Sequence, residues 1–315
     1  MKKLTLIAVL CIGAYLYYSD KVNADNAMSE QPESKIEQVV KTEVEENSAV
    51  ESVVAADGRW SELPERIEGD FLKHKTYYTT LCDGSRVRNY SICYDTRKMV
   101  SLWVAYPLHK VYTTPKIDRT DAWAYDDAVT TYGEGGYDII GYEITEPKIE
   151  QYFQPNVKAG GFNDGENRKL DRGHMLPSAS RYNSWQTNAQ TFYATNIFPQ
   201  NARLNQQNWA NVEDNTRRSM CADTLYVVVG TLFENSTTFC SRGRNIAWPS
   251  HCYKLLLRTR KGNTGKSIDQ ITDASQVRAI AFWLRAWKIE RRRICLIPVI
   301  FDISFNSSTT TGSAM

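Results

Sequence analysis

The chain of 315 residues has no internal repeat, no Gly-rich phosphate-cradling loop and no Cys-x-x-Cys pair. The first absence excludes solenoids and propellers, which need self-similar units. The second argues against P-loop nucleotide chemistry. The third weakens a zinc reading, and His251 beside Cys252 has no partners at ligand spacing. Long apolar runs are missing too: the stretch from Leu4 to Tyr18 covers 15 residues, too short to favour a spanning helix. Histidine is scarce, with four in all, and His74, His109 and His251 read as structural or surface groups.

What is present begins with a leader pattern. Met1-Lys2-Lys3, the apolar run and Val22-Asn23-Ala24 have the order of a charged n-region, an h-region and a small-residue cleavage site. A signal peptide over 1–24, cut after Ala24, is expected, with a secreted or periplasmic mature chain that holds no stable membrane association. The alternative is an N-terminally membrane-anchored chain. Leu10 before Cys11 is too large for the usual lipoprotein processing site. Residues 25–57 carry nine acidic and two basic residues and no aromatic one, so they cannot bury enough apolar surface to offset chain entropy and read as an acidic disordered linker.

Residues 58–315 are long enough for one domain with a substantial core. The whole-chain charge of +2 hides an asymmetry, since this part holds 33 basic against 26 acidic residues, a net of about +7. That excess suits a polyanionic partner without proving one. Arg291, Arg292 and Arg293 form a candidate phosphate-backbone patch. Trp103–Tyr106, Tyr137–Tyr142, Thr224–Leu232, Tyr253–Thr259 and Ile294–Phe301 have strand composition. Asp273–Ile289 is partly helical in spacing, although Ala279–Leu284 also suits a strand. Gly160, Gly161, Asn163 and Gly165 mark a loop. The class is α+β, with mixed, largely antiparallel strands and a few helices.

Two stretches carry the chemistry: DRGHMLPSASR, Asp171 to Arg181, and TNIFPQNARLNQQNWANVE, Thr195 to Glu213. Phosphodiester hydrolysis needs a base for water, a divalent cation and a fixed positive charge near the non-bridging oxygens. His174 suits the base because imidazole titrates near neutral pH. Arg172, two residues earlier, projects to the same side if the segment is extended. From Asn201 onward the second stretch reads as a helix, with Asn205 and Glu213 along one side and Arg217 and Arg218 near its end. A carboxamide and a carboxylate suit hydrated Mg²⁺, with Asn205 on the ion and Glu213 on its waters. Taken singly, each residue has an ordinary reading. A His beside Gly is usually structural, an Asp-Arg pair is usually a weak surface ion pair, Asn205 can cap a helix, and Glu213 can pair with Arg217. Their joint occurrence is what points to a site.

DRGH, TNIFPQ and LNQQNW ending in VE, in this order and spacing, resemble the DNA/RNA non-specific endonuclease family over roughly Trp103 to Phe301. The resemblance implies a ββα-metal (His-Me finger) nuclease fold and Mg²⁺-dependent cleavage of DNA and RNA to 5′-phosphate ends, with Mn²⁺ as an alternative ion. It implies His174 as general base, Arg172 on the transition-state phosphate, Asn205 as direct metal ligand, Glu213 acting through metal-bound water, and Asn196 as support. Arg119, in DRTDAWAYDD, best matches the family's upstream arginine. A homodimer is compatible with it. The alternative functions are a non-catalytic nucleic-acid-binding module and a phosphodiesterase acting on small nucleotides.

Six cysteines follow the leader, and an even number in an exported chain suggests disulfides. Six allow fifteen pairings. Local spacing favours Cys82 with Cys93 and Cys240 with Cys252, which leaves Cys221 with Cys295. Asn89-Tyr90-Ser91 and Asn235-Ser236-Thr237 match a glycosylation pattern but carry little weight behind a leader of bacterial type.

Overall fold

The computed structural model describes residues 63–286 except 65, 127–148, 164–168 and 235–236. The expected leader, the acidic linker, the strands at 137–142 and 294–301, the arginine triplet and Cys295 lie outside those residues. Among the described residues no helix is long and apolar enough to cross a membrane.

Six antiparallel strands form the main sheet. In chain order they are β1 (Leu72–Thr80), β2 (Arg86–Asp95), β3 (Val100–Leu108), β7 (Leu225–Leu232), β10 (His251–Thr259) and β11 (Val277–Arg285), and they are hydrogen-bonded in that same order. β1 shows the period-2 burial of a strand with one wet face, whereas every residue of β3 is buried, as befits a strand covered on both faces. β11 settles the ambiguity at 273–289. Val277, Ala281 and Leu284 are buried, and the segment pairs with β10 from Val277↔Thr259 to Arg285↔His251. Its β-branched and aromatic residues complete a sheet edge, and the helical spacing has no counterpart there.

A smaller sheet packs on this one and carries the two quoted stretches. It contains β4 (Phe162–Asn163), β5 (Lys169–His174) and β6 (Ile197–Asn201), all antiparallel. A hairpin of β8 (Thr237–Ser241) and β9 (Arg244–Trp248) stands apart as a third sheet. Between β5 and β6 lies one short helix, α1 (Trp185–Ala189), capped by Ser184, whose side chain accepts from the Thr187 amide. After β6 the chain enters a π-helical turn, Leu204–Trp209, and then α2 (Ala210–Arg218). The wider i→i+5 turn keeps Leu204 and Trp209 on the buried side that Val212 and Thr216 continue. β5, β6 and α2 are the ββα unit.

A buried polar hub ties the layers together. Lys75 on β1 donates to Asp126 at 2.7 Å with both side chains almost fully buried, and the Tyr77 hydroxyl also bonds Asp126. Gln154 accepts from the Asp126 amide (2.7 Å) and donates to the carbonyls of Asp126 and Ile149. Thr195, which opens the second quoted stretch, joins through Tyr77 (3.0 Å), and its carbonyl accepts from Ser101 on β3 (2.7 Å).

Among the described residues neither Cys82–Cys93 nor Cys240–Cys252 is formed, and the expected Cys221–Cys295 pair reaches outside them. Cys82, Cys93, Cys221, Cys240 and Cys252 are free thiols. On the β1–β2 ladder Cys93 faces His74, eight residues from Cys82, which at strand rise is roughly 26 Å. Cys240 is exposed on the small hairpin opposite Asn245, whereas Cys252 is fully buried in β10. Short sequence loops here are extended hairpins, which hold their ends apart. Asn89 is fully buried and donates to Thr187 and Gln190, so it is no glycan acceptor.

Two outcomes follow. Lys75→Met should cost about 3–5 kcal/mol of unfolding free energy in urea, because it leaves a buried carboxylate unpaired, and adding Asp126→Asn should recover part of the loss. Iodoacetamide should label Cys82 and Cys240 in the native protein and Cys93 and Cys252 only after unfolding. An intact Cys82–Cys93 peptide under non-reducing conditions would contradict the register.

Candidate active site

The β5–β6 register, Asp171↔Gln200 through His174↔Ile197, puts the DRGH motif on a rigid ladder. Gly173 makes room within it for Gln200: a Cβ there would lie 2.1 Å from Gln200 Oε1, which would have to move. Asn196 holds the return of the chain. Its Oδ1 accepts from the Leu176 amide (2.9 Å), its Nδ2 donates to the carbonyls of Leu176 (3.0 Å) and Thr191 (2.7 Å), and its carbonyl accepts from Met175. Fully buried, it fixes the turn beyond His174 without lining the cavity.

That cavity, about 400 Å³, is lined by Arg119, Arg172, His174, Asn205 and Glu213 together with Trp123, Asp171 and Ser178. Five of the six residues singled out from sequence thus share one wall system, and Asn196 lies behind it. Arg119 comes from the loop after β3, where Ala124 pairs with Tyr193. Its Nη1 donates to Ser178 Oγ (2.8 Å) and its Nε to Asp121 (2.8 Å).

Two aromatic rings organise these groups. Trp123 stacks under the Arg172 guanidinium at 3.5 Å and meets the His174 ring at 5.3 Å. Phe192 touches the His174 ring edge-on at 5.0 Å and lies 4.7 Å from the Arg119 guanidinium. Arg172 Nη1 donates to the Val157 carbonyl (2.8 Å), which leaves much of its fork free. Burial lowers the Arg172 pKa, and the charges of Arg119 and Arg242 act in the same direction.

Desolvation, then Arg119 and Arg172, pull the His174 pKa down to about 3, against a hydrogen bond to the Arg172 backbone that raises it. Nε2 has no hydrogen-bond partner, so the backbone bond belongs to Nδ1. The ring is therefore neutral at pH 7, with Nε2 the nitrogen able to accept a proton.

Asn205 Nδ2 donates to Asp171 Oδ2 (3.0 Å), which also accepts from Gln206 Nε2 (2.8 Å). This tether turns the Asn205 amide so that its oxygen remains available as a hard donor. Glu213 lies on the same cavity. Among the described residues no three His, Cys, Asp or Glu side chains cluster. One amide oxygen and one carboxylate fit an ion that keeps most of its waters, as Mg²⁺ does. Burial pushes the Glu213 pKa up, opposed by Lys254 and Arg217. Arg217 itself bonds Asp214, so the expected alternative of a Glu213–Arg217 ion pair is not formed.

Sequence reasoning missed Trp123 and Lys254. Trp123 stood inside the segment quoted for Arg119. Lys254 is fully buried, its Nζ lies 4.7 Å from the centre of the Trp209 ring, and burial lowers its pKa to about 8 against the pull of Glu213. The available signal was parity: Lys254 falls between Cys252 and Leu256 on the buried side of β10.

Residues 68–300 match the DNA/RNA non-specific endonuclease family. The chain belongs to that family. It is 27% identical over 185 residues to mitochondrial endonuclease G of Homo sapiens, covering 55% of this chain and 54% of that protein. With a nuclease of Nostoc sp. it shares 43% over 142 residues, 45% and 43% of the two chains. With a nuclease of Serratia marcescens it shares 31% over 137 residues, 42% of each. The chain spans about half the length of these relatives, or less.

The depressed His174 pKa sets a pH dependence. With about 3 folded and about 6.5 unfolded, the unfolded chain binds the extra proton between those values. His174 therefore lowers stability progressively as pH falls from about 6.5 toward 3. Urea midpoints of the wild type should drop across this window, and His174→Gln should flatten the drop. A parallel profile in the variant would show that His174 is not desolvated.

Proposed function

We propose that this protein is a Mg²⁺-dependent endonuclease that hydrolyses DNA and RNA phosphodiesters with little sequence preference, exported through residues 1–24. The observation that carries the reading is the cavity shared by Arg119, Arg172, His174, Asn205 and Glu213. Family membership and the nuclease names of its relatives support the same substrate class.

His174 Nε2 would take a proton from water as its oxygen attacks phosphorus in line. The P–O3′ bond breaks as the P–O bond forms, and the departing O3′ takes a proton from solvent water, giving a 3′-hydroxyl and a 5′-phosphate. Arg172, held flat on Trp123, would face the non-bridging oxygens, and Arg119 would add a second guanidinium. A divalent cation held by Asn205 Oδ1 and, through water, by Glu213 would supply charge neutralisation at the phosphate and the departing oxygen. Of the effects that hold His174 neutral without substrate, burial and the charges of Arg119 and Arg172, the two charges are offset when a phosphate enters, which raises its basicity toward the range a general base needs.

His174→Ala in the full chain should lower turnover of plasmid DNA by about 10²–10⁴-fold or more while a gel shift shows retained binding. Turnover at the wild-type rate would remove His174 from the chemistry. Equal loss of binding and turnover would mark it as structural.

A further inference from the structure

The hairpin of β8 and β9 closes with two residues, Arg242 and Gly243, after the last pair Ser241↔Arg244. Both are left-handed, with φ of 52° and 75°. A two-residue turn of this kind favours Asn-Gly or Gly-Gly, because a side chain at the first position is strained. An arginine there is a poor choice for the turn, and strain of this sort accompanies functional demands.

The guanidinium of Arg242 reaches across to the loop before β4. Its Nη2 donates to the Ala159 carbonyl (2.9 Å), and its Nη1 approaches those of Gly160 (3.4 Å) and Asn156 (3.5 Å). In the same loop the Val157 carbonyl accepts from Arg172 Nη1, and Gly161 lines the cavity. The hairpin is anchored beside it, since Ser241 Oγ accepts from the Asn163 amide (3.3 Å) and Phe239 meets Phe162 edge-on.

We infer that Arg242 is a positioning residue that holds the 156–160 loop, and through the Val157 carbonyl sets the aim of the Arg172 guanidinium. It touches no reacting atom. The arrangement is a relay of two arginines bound to one loop, the outer fixing the backbone that the inner one uses. The inference rests on the phosphate-facing role proposed for Arg172.

The test is steady-state cleavage of a defined oligonucleotide duplex by the full chain with Mg²⁺, over a range of salt, for Arg242→Asn, Arg172→Ala and the double variant. Arg242→Asn gives the turn a favoured residue, so its thermal midpoint should equal or exceed that of the wild type. Its kcat should fall roughly 10- to 100-fold, as expected for an ångström-scale misplacement of a catalytic group, with KM and the salt slope unchanged. Arg242→Lys, which keeps a donor of similar reach, should recover most of that kcat. The double variant should be no slower than Arg172→Ala, because Arg242 then has nothing left to aim.

Wild-type kcat in Arg242→Asn overturns the inference. So does a defect confined to KM with a salt slope reduced by about 1, the mark of a simple phosphate contact, and so does an additive double variant. Full activity in Arg172→Ala instead overturns the role of Arg172, and with it this inference, whatever Arg242→Asn does.

Discussion

Antiparallel pairing of β5 with β6 is the constraint on which the site depends. It fixes Arg172 and His174 two residues apart on one strand, brings β6 alongside, and so determines where the π turn and α2 begin. Asn205 and Glu213 then reach the cavity from the helix while Arg172 and His174 reach it from the strand. A side chain at position 173 would have to displace the buried side chain of Gln200, and Asn196 closes the loop behind it with three side-chain hydrogen bonds. A slip of one residue would turn both catalytic candidates to the wrong face.

The electrostatics follow from how little of the positive charge is neutralised. Arg119 has Asp121 as a partner, whereas Arg172 has a carbonyl and an aromatic face. Guanidiniums of this kind are held in place without being satisfied by a carboxylate, which suits a site that must receive an anion. The same charges, with burial, keep His174 neutral. Behind the wall, Glu213 and Lys254 oppose each other's desolvation across Trp209, so the carboxylate facing the cavity is supported from inside the core.

Much of this was legible in the sequence, for identifiable reasons. DRGH is an extended tetrapeptide whose period-2 geometry is fixed, and that rule survives in the fold. The helix expected from Asn201 keeps its late arginines, but Asn201 still belongs to β6 and the first helical turn, Leu204–Trp209, is π-helical. Cys82 and Cys93 do not pair because short spacing in sequence is not closeness in space: β1 and β2 run antiparallel and place Cys93 opposite His74. The helical spacing near 273–289 gave way to the hydrogen bonds an edge strand gains from β10. Trp123, Lys254 and the Asp126 hub depend on contacts between segments distant from each other in the chain, which no local pattern encodes. Arg242 is of the same type, since its partners lie more than 80 residues earlier.

We propose that one cavity combines a neutral imidazole, two guanidiniums and the residues to hold a cation, and cuts either sugar's polymer. The most direct measurement is cleavage of supercoiled plasmid and of single-stranded RNA by the purified wild-type chain, with Mg²⁺ and then with excess EDTA. Both polymers should be cut with Mg²⁺ and neither in EDTA. Binding of DNA without cleavage of either polymer in Mg²⁺, or undiminished cleavage in EDTA, would contradict it.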